Sequence, residues 1–231
     1  MRKEQENRPL TVIFDMDGTV LDTLDDLTDA TNEALAKEGL PPCTREQVRG
    51  YVGNGIGMLL RRALAGAGAE ADDAAAERME KTFYPYYRAH CADKTGPYPG
   101  ILCCLDALRA DGIRLGLVSN KENGAVGLLT ERYFPGRFEA VQGETPAIAR
   151  KPAPDMVRAV LAAMGTERRD AVFVGDSGVD IETAQNAGIP CLSVTWGFRS
   201  PDELVRSGAE TLISSPKELE TFLLTLYHAG L

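Results

Sequence analysis

The sequence predicts an α/β protein in which a doubly wound parallel sheet carries an inserted all-helical domain. Over the carboxyl half of the chain, short apolar runs of strand length alternate with helical patterns, which favours parallel strands covered by helices on both faces. The first apolar run is separated from the second by a stretch far longer than an ordinary crossover. Two of the runs end abruptly on acidic residues, at the position where parallel sheets bind ligands.

The long gap after the first strand predicts the inserted domain. The first strand is expected at 10–14, and the next apolar run begins only at Ile113. The residues between them show helical spacing without the alternation typical of strands. The helical segments there are 24–37, 56–65 and 70–90. The predicted division is a disordered tail at 1–8, an α/β core domain at 9–21 and 97–231, and a helical domain at 22–96.

The rest of the chain alternates between helices and strands, as a parallel sheet requires. The further strands are predicted at 113–119, 138–141, 171–175, 190–194 and 211–213. The further helices are predicted at 101–110, 122–132, 155–164, 179–187 and from Ser215 onward. Ser215 precedes a proline and stands three residues before Glu218, which is the pattern of a capped helix start.

Composition excludes several classes of function. The chain has 231 residues, a formal net charge of −9 and a sequence pI near 4.9, so it offers no basic face to nucleic acid or to an anionic membrane. No run reaches the roughly 20 apolar residues of a membrane-spanning helix, and the polar first eight residues do not resemble a secretory signal. We therefore expect a cytoplasmic protein, monomeric or homodimeric, that binds a small molecule.

Cysteine and histidine usage narrows the chemistry further. The five cysteines are odd in number and no pair has Cys-x-x-Cys spacing, so we expect reduced, mostly buried thiols rather than a zinc or redox site. Only two histidines are present, and neither lies near a serine or cysteine motif. A histidine-based catalytic triad and a histidine-rich metal site are therefore both disfavoured.

Two carboxylates, Asp15 and Asp17, follow the first strand directly. Side chains two apart on an extended chain point the same way, so both can face one ligand. Two anions held so close repel each other unless a cation lies between them, and Mg²⁺, which prefers oxygen ligands, is the natural partner. The alternative is an ordinary acidic turn, since Asp and Gly are common turn residues.

The segment Asp15-Met16-Asp17-Gly18-Thr19 resembles the first signature of the haloacid dehalogenase superfamily. The resemblance implies a Rossmann-like core with Asp15 as nucleophile and Asp17 as general acid and base. It also implies Mg²⁺ bound by Asp15, by the backbone carbonyl of Asp17 and by Asp176. An acid at the second position is kept by phosphatases and phosphomutases and is lacking in the dehalogenating and phosphonate-cleaving branches. Gly18 and Thr19 are then expected at the substrate.

Ser119 and Asn120 stand where the second long strand ends. A hydroxyl and the backbone amides of the following loop can accept a phosphate oxygen there, although Ser119 can equally cap the next helix. Within the resemblance, Ser119 corresponds to the phosphate-binding residue of the second signature, and Asn120 is expected to contact the substrate.

Lys151 precedes two prolines that force extended backbone, so its side chain extends from a stiff base. The usual alternative for any lysine is a solvated surface position. Lys151 resembles the third signature, in which the lysine neutralises both the nucleophile and the transferred phosphoryl group.

Asp176 ends another apolar strand, and Asp180 follows four residues later at the start of a helix. Residues four apart lie on one helical face, so Asp180 can support what Asp176 binds. Alternatively, Asp180 is an acidic residue favoured at a helix start by the macrodipole. The strand and both acids resemble the fourth signature, which implies Asp176 as a metal ligand with Asp180 behind it.

The inserted helical region contains Gly53-Asn54-Gly55, followed by Arg61 and Arg62. A glycine-rich helix start can bind a small anion or can be a tight turn, and these readings are evenly balanced. Arg62, with Arg61 beside it, is a candidate to bind a substrate carboxylate; the alternative is a solvated arginine.

The insertion resembles the helical cap found in part of the superfamily, and a finer resemblance is to its phosphoglycolate phosphatase-like subgroup. It is carried by residues 51–55 and by Tyr98-Pro99-Gly100. It implies Mg²⁺-dependent hydrolysis of a small phosphorylated metabolite, with 2-phosphoglycolate as the first choice. Pyrophosphatase-like and nucleotidase-like relatives share much of this pattern, and a sugar-phosphate phosphomutase shares the chemistry. A receiver-like signalling module fits poorly, since such modules have no long insertion. No role is assigned to residues 143–146.

Overall fold

The computed structural model describes residues 9–229, so the tail predicted at 1–8 lies outside the described residues. The strands are β1 (Thr11–Phe14), β2 (Leu21–Asp22), β3 (Gly96–Pro97), β4 (Arg114–Glu122), β5 (Ala140–Glu144), β6 (Ala171–Gly175), β7 (Cys191–Val194) and β8 (Leu212–Ile213). The helices are α1 (Leu24–Lys37), α2 (Arg45–Tyr51), α3 (Ile56–Gly66), α4 (Asp73–His90), α5 (Ile101–Ala110), α6 (Asn123–Tyr133), α7 (Asp155–Ala163), α8 (Gly178–Ala187), α9 (Pro201–Arg206) and α10 (Pro216–His228).

Six strands form one parallel sheet in the order β5-β4-β1-β6-β7-β8. The chain builds β4 and β5 on one side of β1 and then β6, β7 and β8 on the other. The strand order therefore reverses at β1, and a crevice opens at the carboxyl end of that strand, where such sheets bind ligands. The predicted doubly wound parallel sheet is confirmed.

Alternating residues of β1 face two separate apolar cores, because successive side chains of a strand point to opposite faces. Val12 and Phe14 join the larger core, which includes apolar residues of α5, α6 and α10. Ile13 joins the second core, formed mainly by α7 and α8. The sheet is buried on both faces, which explains why its strands read as continuous apolar runs.

The insertion consists of α1 to α4 and is flanked by β2 and β3, which pair with each other as a two-stranded antiparallel ribbon. Buried Asp26 of α1 accepts hydrogen bonds from the backbone amides of Lys94 and Thr95 and so holds the returning chain. The ribbon joins the two ends of the insertion. On this basis we propose that residues 9–21 and 97–231 form the core domain and that residues 22–96 form the helical domain.

Two helices, α2 and α9, are missing from the sequence prediction. Both begin with a capping box, Thr44 with Gln47 and Ser200 with Glu203. That pattern was available in the sequence as a helix start, but each helix is too short to show a periodic apolar face. Strand β4 also runs further than predicted, to Glu122, because its pairing with β5 shifts register between Val118 and Glu122.

The cysteines are reduced, as the sequence predicted. The five cysteines are free; Cys43, Cys91 and Cys104 are buried and Cys103 is exposed. Among the helices of residues 9–229, we find none that combines the length and apolar character required to cross a bilayer.

Candidate active site

Side chains from four strand ends meet at one cavity over the carboxyl edge of the sheet. Asp15 and Asp17 follow β1, and Asp176 follows the neighbouring strand β6. The cavity is lined on the sheet side by Asp15, Asp17, Ser119, Asn120, Lys121, Lys151, Asp176, Ser177, Phe198 and Arg199. It is lined on the helical side by Leu27, Val52, Gly53, Gly55, Ile56 and Leu59. The sheet thus supplies the charged wall and the insertion an apolar one.

Lys151 lies at the centre of the charged wall. Its Nζ is 2.7 Å from Asp15 Oδ1 and 2.7 Å from Asp180 Oδ1, and all three side chains are buried. Although burial lowers it, the two carboxylates raise the pKa of Lys151 above its ordinary value, so the ammonium stays charged. The carboxyl group of Asp180 is also the capping group of α8, where Oδ2 accepts from the backbone N and the Oγ of Ser177.

Asn120 holds the backbone of Lys151. Its Oδ1 accepts from Lys151 N at 2.8 Å, and its Nδ2 donates to Lys151 O at 2.9 Å and to Gly53 O at 3.2 Å. Both amide hydrogens are therefore used inside the protein. Asn120 thus positions Lys151 with both donors of its amide group; it also lines the cavity, and its expected contact with substrate stays a prediction.

Asp176 is held by the loop that follows β7. Its Oδ2 accepts from Phe198 N at 2.6 Å, and its Oδ1 is 3.4 Å from the hydroxyl of Thr19. A side chain at Gly18, which has φ +86°, would collide with Asp176. Gly18 and Thr19 pack against this carboxylate and are not among the residues that line the cavity; their predicted contact with substrate stays a prediction.

The buried acids form a group suited to a divalent cation. One carboxylate oxygen from each of Asp15, Asp176 and Asp180 lies within 4.8 Å of the others. Burial, with the neighbouring carboxylates, raises the pKa of Asp15 well above its usual range despite Lys151, and burial with Asp180 raises the pKa of Asp176 to about 7. A hard cation between them would relieve this repulsion. Both oxygens of Asp180 accept close hydrogen bonds from Lys151 or Ser177. Among residues 9–229, Asp15 uses only Oδ1, and Asp176 Oδ1 has only the 3.4 Å contact with Thr19, so the residues that would hold Mg²⁺ are Asp15 and Asp176.

The side chain of Asp17 contacts Thr23, Lys121 and Ser119 rather than the residues of this acidic group. Its Oδ1 accepts from Thr23 Oγ1 at 2.5 Å and lies 2.9 Å from Lys121 Nζ, while its Oδ2 accepts from Ser119 Oγ at 3.3 Å. The side chain of Asp17 is therefore not part of the acidic group. Its predicted contribution to a metal through the backbone carbonyl stays a prediction.

The glycine-rich loop of the insertion is held by two arginines. Arg62 donates to Tyr51 O at 2.7 Å and to Asn54 Oδ1 at 2.9 Å, and Arg199 donates to Arg49 O at 2.7 Å and to Val52 O at 2.5 Å. The two guanidinium groups thus donate to backbone carbonyls at the carboxyl end of α2, where a positive charge interacts favourably with the helix dipole.

Arg62 and Asn54 contact each other in this loop, and their predicted contact with substrate stays a prediction. Neither lines the cavity around Asp15, because each is used to hold the loop. Arg61 instead pairs with Asp73. Gly53 and Gly55 do reach the cavity, where the helical wall approaches the sheet.

The sequence model of the haloacid dehalogenase-like hydrolase family matches residues 12–194, which include every strand end of the charged wall. The chain belongs to the haloacid dehalogenase-like hydrolase family.

Among relatives, this haloacid dehalogenase-like hydrolase is similar to proteins named phosphoglycolate phosphatase. One from Rhodospirillum rubrum is 39% identical over 82% of this chain and 81% of its own length, and one from Caulobacter vibrioides is 38% identical over 94% and 91%. A crystal structure of a candidate phosphoglycolate phosphatase from Lactobacillus delbrueckii subsp. bulgaricus has a TM-score of 0.88 at 39% identity, covering 92% of this chain and 97% of that one.

The hydrolase also uses residues that sequence reasoning did not single out. Lys121 and Thr23 contact Asp17, Tyr87 contacts Lys121, and Arg199 holds the helical wall. Lys121 directly follows Ser119-Asn120, so its proximity to the site was a usable signal. Tyr87 and Arg199 had no comparable signal, because they lie in a long helix and in a loop without a motif.

Proposed function

We propose that this enzyme hydrolyses 2-phosphoglycolate with Mg²⁺ through an aspartyl-phosphate intermediate. The phosphatase class follows from the family and from the named relatives; the substrate and the mechanism are the proposal. The observation that carries it is the buried ammonium of Lys151 shared between Asp15 and Asp180 in a group of three acids. Such a group combines a nucleophile, a phosphate-neutralising cation and a cation site.

In the first step Asp15 acts as the nucleophile. Its Oδ1 accepts from Lys151, whereas its Oδ2 has no hydrogen-bond partner within residues 9–229 and is therefore available for attack. A carboxylate oxygen forms a bond to phosphorus while the bond from phosphorus to the ester oxygen breaks. Asp17, protonated, gives its proton to the departing alkoxide oxygen. The products of this step are the aspartyl-phosphate and glycolate.

In the second step Asp17, now a carboxylate, accepts a proton from water, whose oxygen attacks phosphorus. The bond between phosphorus and Asp15 breaks, phosphate leaves and Asp15 is restored. Splitting the reaction in this way replaces one difficult displacement by two easier ones. One water is consumed for each phosphate released.

Positioning and charge supply the rest of the catalysis. Lys151 and Ser119 line the cavity in which the phosphoryl group would bind. The Ser119 hydroxyl, which donates to Asp17 in the free enzyme, would donate to a phosphoryl oxygen when substrate is bound. When bound by Asp15 and Asp176, Mg²⁺ would offset charge on the phosphoryl oxygens. The apolar residues of the insertion exclude water from this space. We propose that the insertion acts in this way as a cap.

A phosphate-release assay tests the proposed substrate. Purified enzyme with Mg²⁺ is given 2-phosphoglycolate, pyrophosphate, nucleoside monophosphates and sugar phosphates. We expect the highest kcat/KM for 2-phosphoglycolate. A higher value for another member of the panel, or conversion of a sugar phosphate to its isomer without release of phosphate, would contradict the assignment.

The proposed intermediate is tested with Asp15→Asn. This variant keeps the size of the side chain and removes the nucleophile, so we expect activity to fall about 10³-fold or more with the fold retained. Asp25→Asn is the matched control, because Asp25 forms only a half-exposed surface pair with Arg45. Acid quench with ³²P-labelled substrate should leave label on the wild-type protein and none on Asp15→Asn. Wild-type turnover by Asp15→Asn would remove Asp15 from the nucleophile role.

A further inference from the structure

Lys121 is a buried ammonium that belongs to none of the steps above. Its side chain is 4% exposed, its Nζ lies 2.9 Å from Asp17 Oδ1, and it donates to the Tyr87 hydroxyl at 2.7 Å. An ammonium group has three donors, and the third has no partner among residues 9–229. Because Lys121 lines the cavity, this third donor is available to a bound ligand.

Lys121 lies near the end of β4, where the strand packs closely against β5. Ser119, Asn120 and Lys121 are all buried, like the rest of β4 between its two end residues, and they lie in the stretch where the pairing of β4 with β5 shifts register. Irregularities of this kind re-aim side chains beside functional sites. Gly143 of β5 lies against Lys121 O and the backbone of Asn123, with no room for a Cβ atom. The stretch at 143–146, which had no assigned role, thus begins by supporting the Lys121 segment.

The position of Lys121 beside Asp17 matches the chemistry of the leaving group. In the proposed reaction Asp17 protonates the ester oxygen of the substrate, so that oxygen must lie within hydrogen-bonding distance of Asp17. In phosphoglycolate a single methylene joins this oxygen to a carboxylate. The carboxylate therefore lies within a few ångströms of Asp17. A cation there would pair with the bound carboxylate and would offset the repulsion between the two anions once Asp17 has given up its proton.

The other cations of the cavity are already engaged. Lys151 is shared by Asp15 and Asp180, and the guanidinium of Arg199 donates to carbonyls at the end of α2. Arg62 is directed at Tyr51 O and Asn54. Of the cations that line the cavity within the described residues, Lys121 is the one that contacts Asp17.

We propose that Lys121 binds the carboxylate of the leaving group and thereby selects phosphate esters of short α-hydroxy acids. This inference rests on the proposed function and names the residue that determines its substrate class. Tyr87 belongs to α4 of the insertion and holds Lys121 by its hydroxyl, with its ring 4.6 Å from the ammonium. Recognition of the carboxylate is thus shared between the sheet and the insertion.

The test compares 2-phosphoglycolate with 2-phosphoglycolamide. The two have the same phosphate ester, and the amide replaces the carboxylate by an uncharged carboxamide of similar size. Wild-type enzyme should prefer the acid in kcat/KM. Lys121→Met should reduce this preference by about 10- to 100-fold, the effect expected for one hydrogen bond between charged groups. The change should appear mainly as a raised KM for the acid. Lys121→Gln, which keeps a donor for Asp17 and Tyr87, should lose the preference in the same way if the methionine variant is insoluble.

Arg62→Met is the matched control, because it removes the cation that the sequence favoured for the same task. It should leave the ratio between acid and amide unchanged even if both rates fall. Lys121→Arg, which retains the charge, should retain most of the preference. An equal fall for both substrates in Lys121→Met and Lys121→Gln would overturn the proposal, because Lys121 would then act only through Asp17.

The wild-type enzyme separates this inference from the function on which it rests. Phosphate release from both substrates at equal kcat/KM would overturn carboxylate recognition and leave the phosphatase chemistry intact. Failure to release phosphate from any ester in the panel would overturn the proposed function itself.

Discussion

The two walls of the cavity differ in what they offer and in how they are held. The sheet wall carries buried acids and lysines that bind one another through their side chains, as in the Asp15–Lys151–Asp180 group. The helical wall offers apolar side chains such as Leu27 and Leu59, and its loop is held through backbone carbonyls. The charged wall is thus rigid and suited to chemistry, while the apolar wall shapes the space and excludes water.

Three residues of the sheet wall reach the insertion beside the cavity. Asn120 donates to Gly53 O, Lys121 donates to Tyr87, and Arg199 donates to Arg49 O and Val52 O. Each joins a charged or amide group to the insertion by a hydrogen bond. A change in the sheet wall should therefore affect chemistry, and a change at these junctions should affect substrate binding.

Among the variants that compare the two walls, the largest effect is expected for Lys151→Met. Removing the ammonium leaves Asp15 and Asp180 buried without their cation, so activity should fall about 10²- to 10³-fold. In EDTA the free energy of unfolding should fall by about 3–5 kcal/mol. Lys94→Met is the control in the insertion, because its partner Asp29 and its own side chain are both exposed, and it should change neither. Phosphate release and urea denaturation provide the two measurements. Equal behaviour of the two variants would remove the distinction between the walls.

Gly18→Ala should have the next largest effect. A methyl group there collides with the Asp176 carboxylate at a φ of +86°, so Asp176 must shift and activity should fall about 100-fold or more. Gly39→Ala is the matched control, with a φ of +72° but nothing within 4 Å of the added methyl. It should cost about 1 kcal/mol of stability and leave kcat unchanged. Kinetics and thermal unfolding of the pair separate backbone strain from displacement of Asp176.

Arg199→Met should have a smaller effect on substrate binding. Loss of its hydrogen bonds to the carbonyls of Arg49 and Val52 frees the loop of the helical wall, so KM should rise about tenfold with little change in kcat. Arg49→Met is the control, because the Arg49 side chain contacts only Glu46 on the surface while its carbonyl remains. A fall in kcat alone for Arg199→Met would show that this arginine serves the charged wall instead.

The smallest effect is a dependence of stability on pH in the metal-free enzyme. Burial, with Asp180, raises the pKa of Asp176 to about 7, against the lowering effect of Phe198 N, Arg199 and Lys151. Between about pH 4 and pH 7 the folded protein therefore retains a proton that the unfolded chain has released. Stability in EDTA should fall as pH rises through this window, by at most about 1.4 kcal/mol per pH unit for one proton.

Mg²⁺ and Asp176→Asn are the tests of this dependence. Mg²⁺ should stabilise the enzyme more at pH 8 than at pH 5, because the cation competes with the proton for the same acids. Asp176→Asn should weaken the decline with pH in EDTA. A higher unfolding temperature in EDTA at pH 8 than at pH 5 would contradict the expected fall of stability with rising pH.

Strand ends explain why so much of the charged wall was predictable. An apolar run that stops on Asp15 or Asp176 predicts both a strand and the residue at which it ends. The carboxyl ends of parallel strands lie at the same edge of the sheet, so the acids that follow them lie close together. Ser119 lies within β4, which runs on to Glu122, and Lys151 lies in the loop after β5, yet the structure brings both to the cavity with Asp15. The catalytic roles of these residues are proposals that the variants above test.

The helical wall was less predictable for a physical reason. Helical spacing identifies which face of a helix is apolar, but it does not say which neighbour that face packs against. Arg62 lies at the expected place along α3, yet its guanidinium is used by Tyr51 O and Asn54. Asn120 similarly holds Lys151 rather than an external ligand.

The sequence by itself determined the α/β class, the helical insertion, and the acids and lysine at the strand ends, because these depend on local periodicity and on where apolar runs stop. The tertiary structure decided which cation faces which anion. Lys121 lies buried beside Asp17 in the stretch where β4 and β5 shift register, and Tyr87 reaches it from a helix of the insertion. Contacts between residues so distant in the chain follow from packing, which no local pattern encodes.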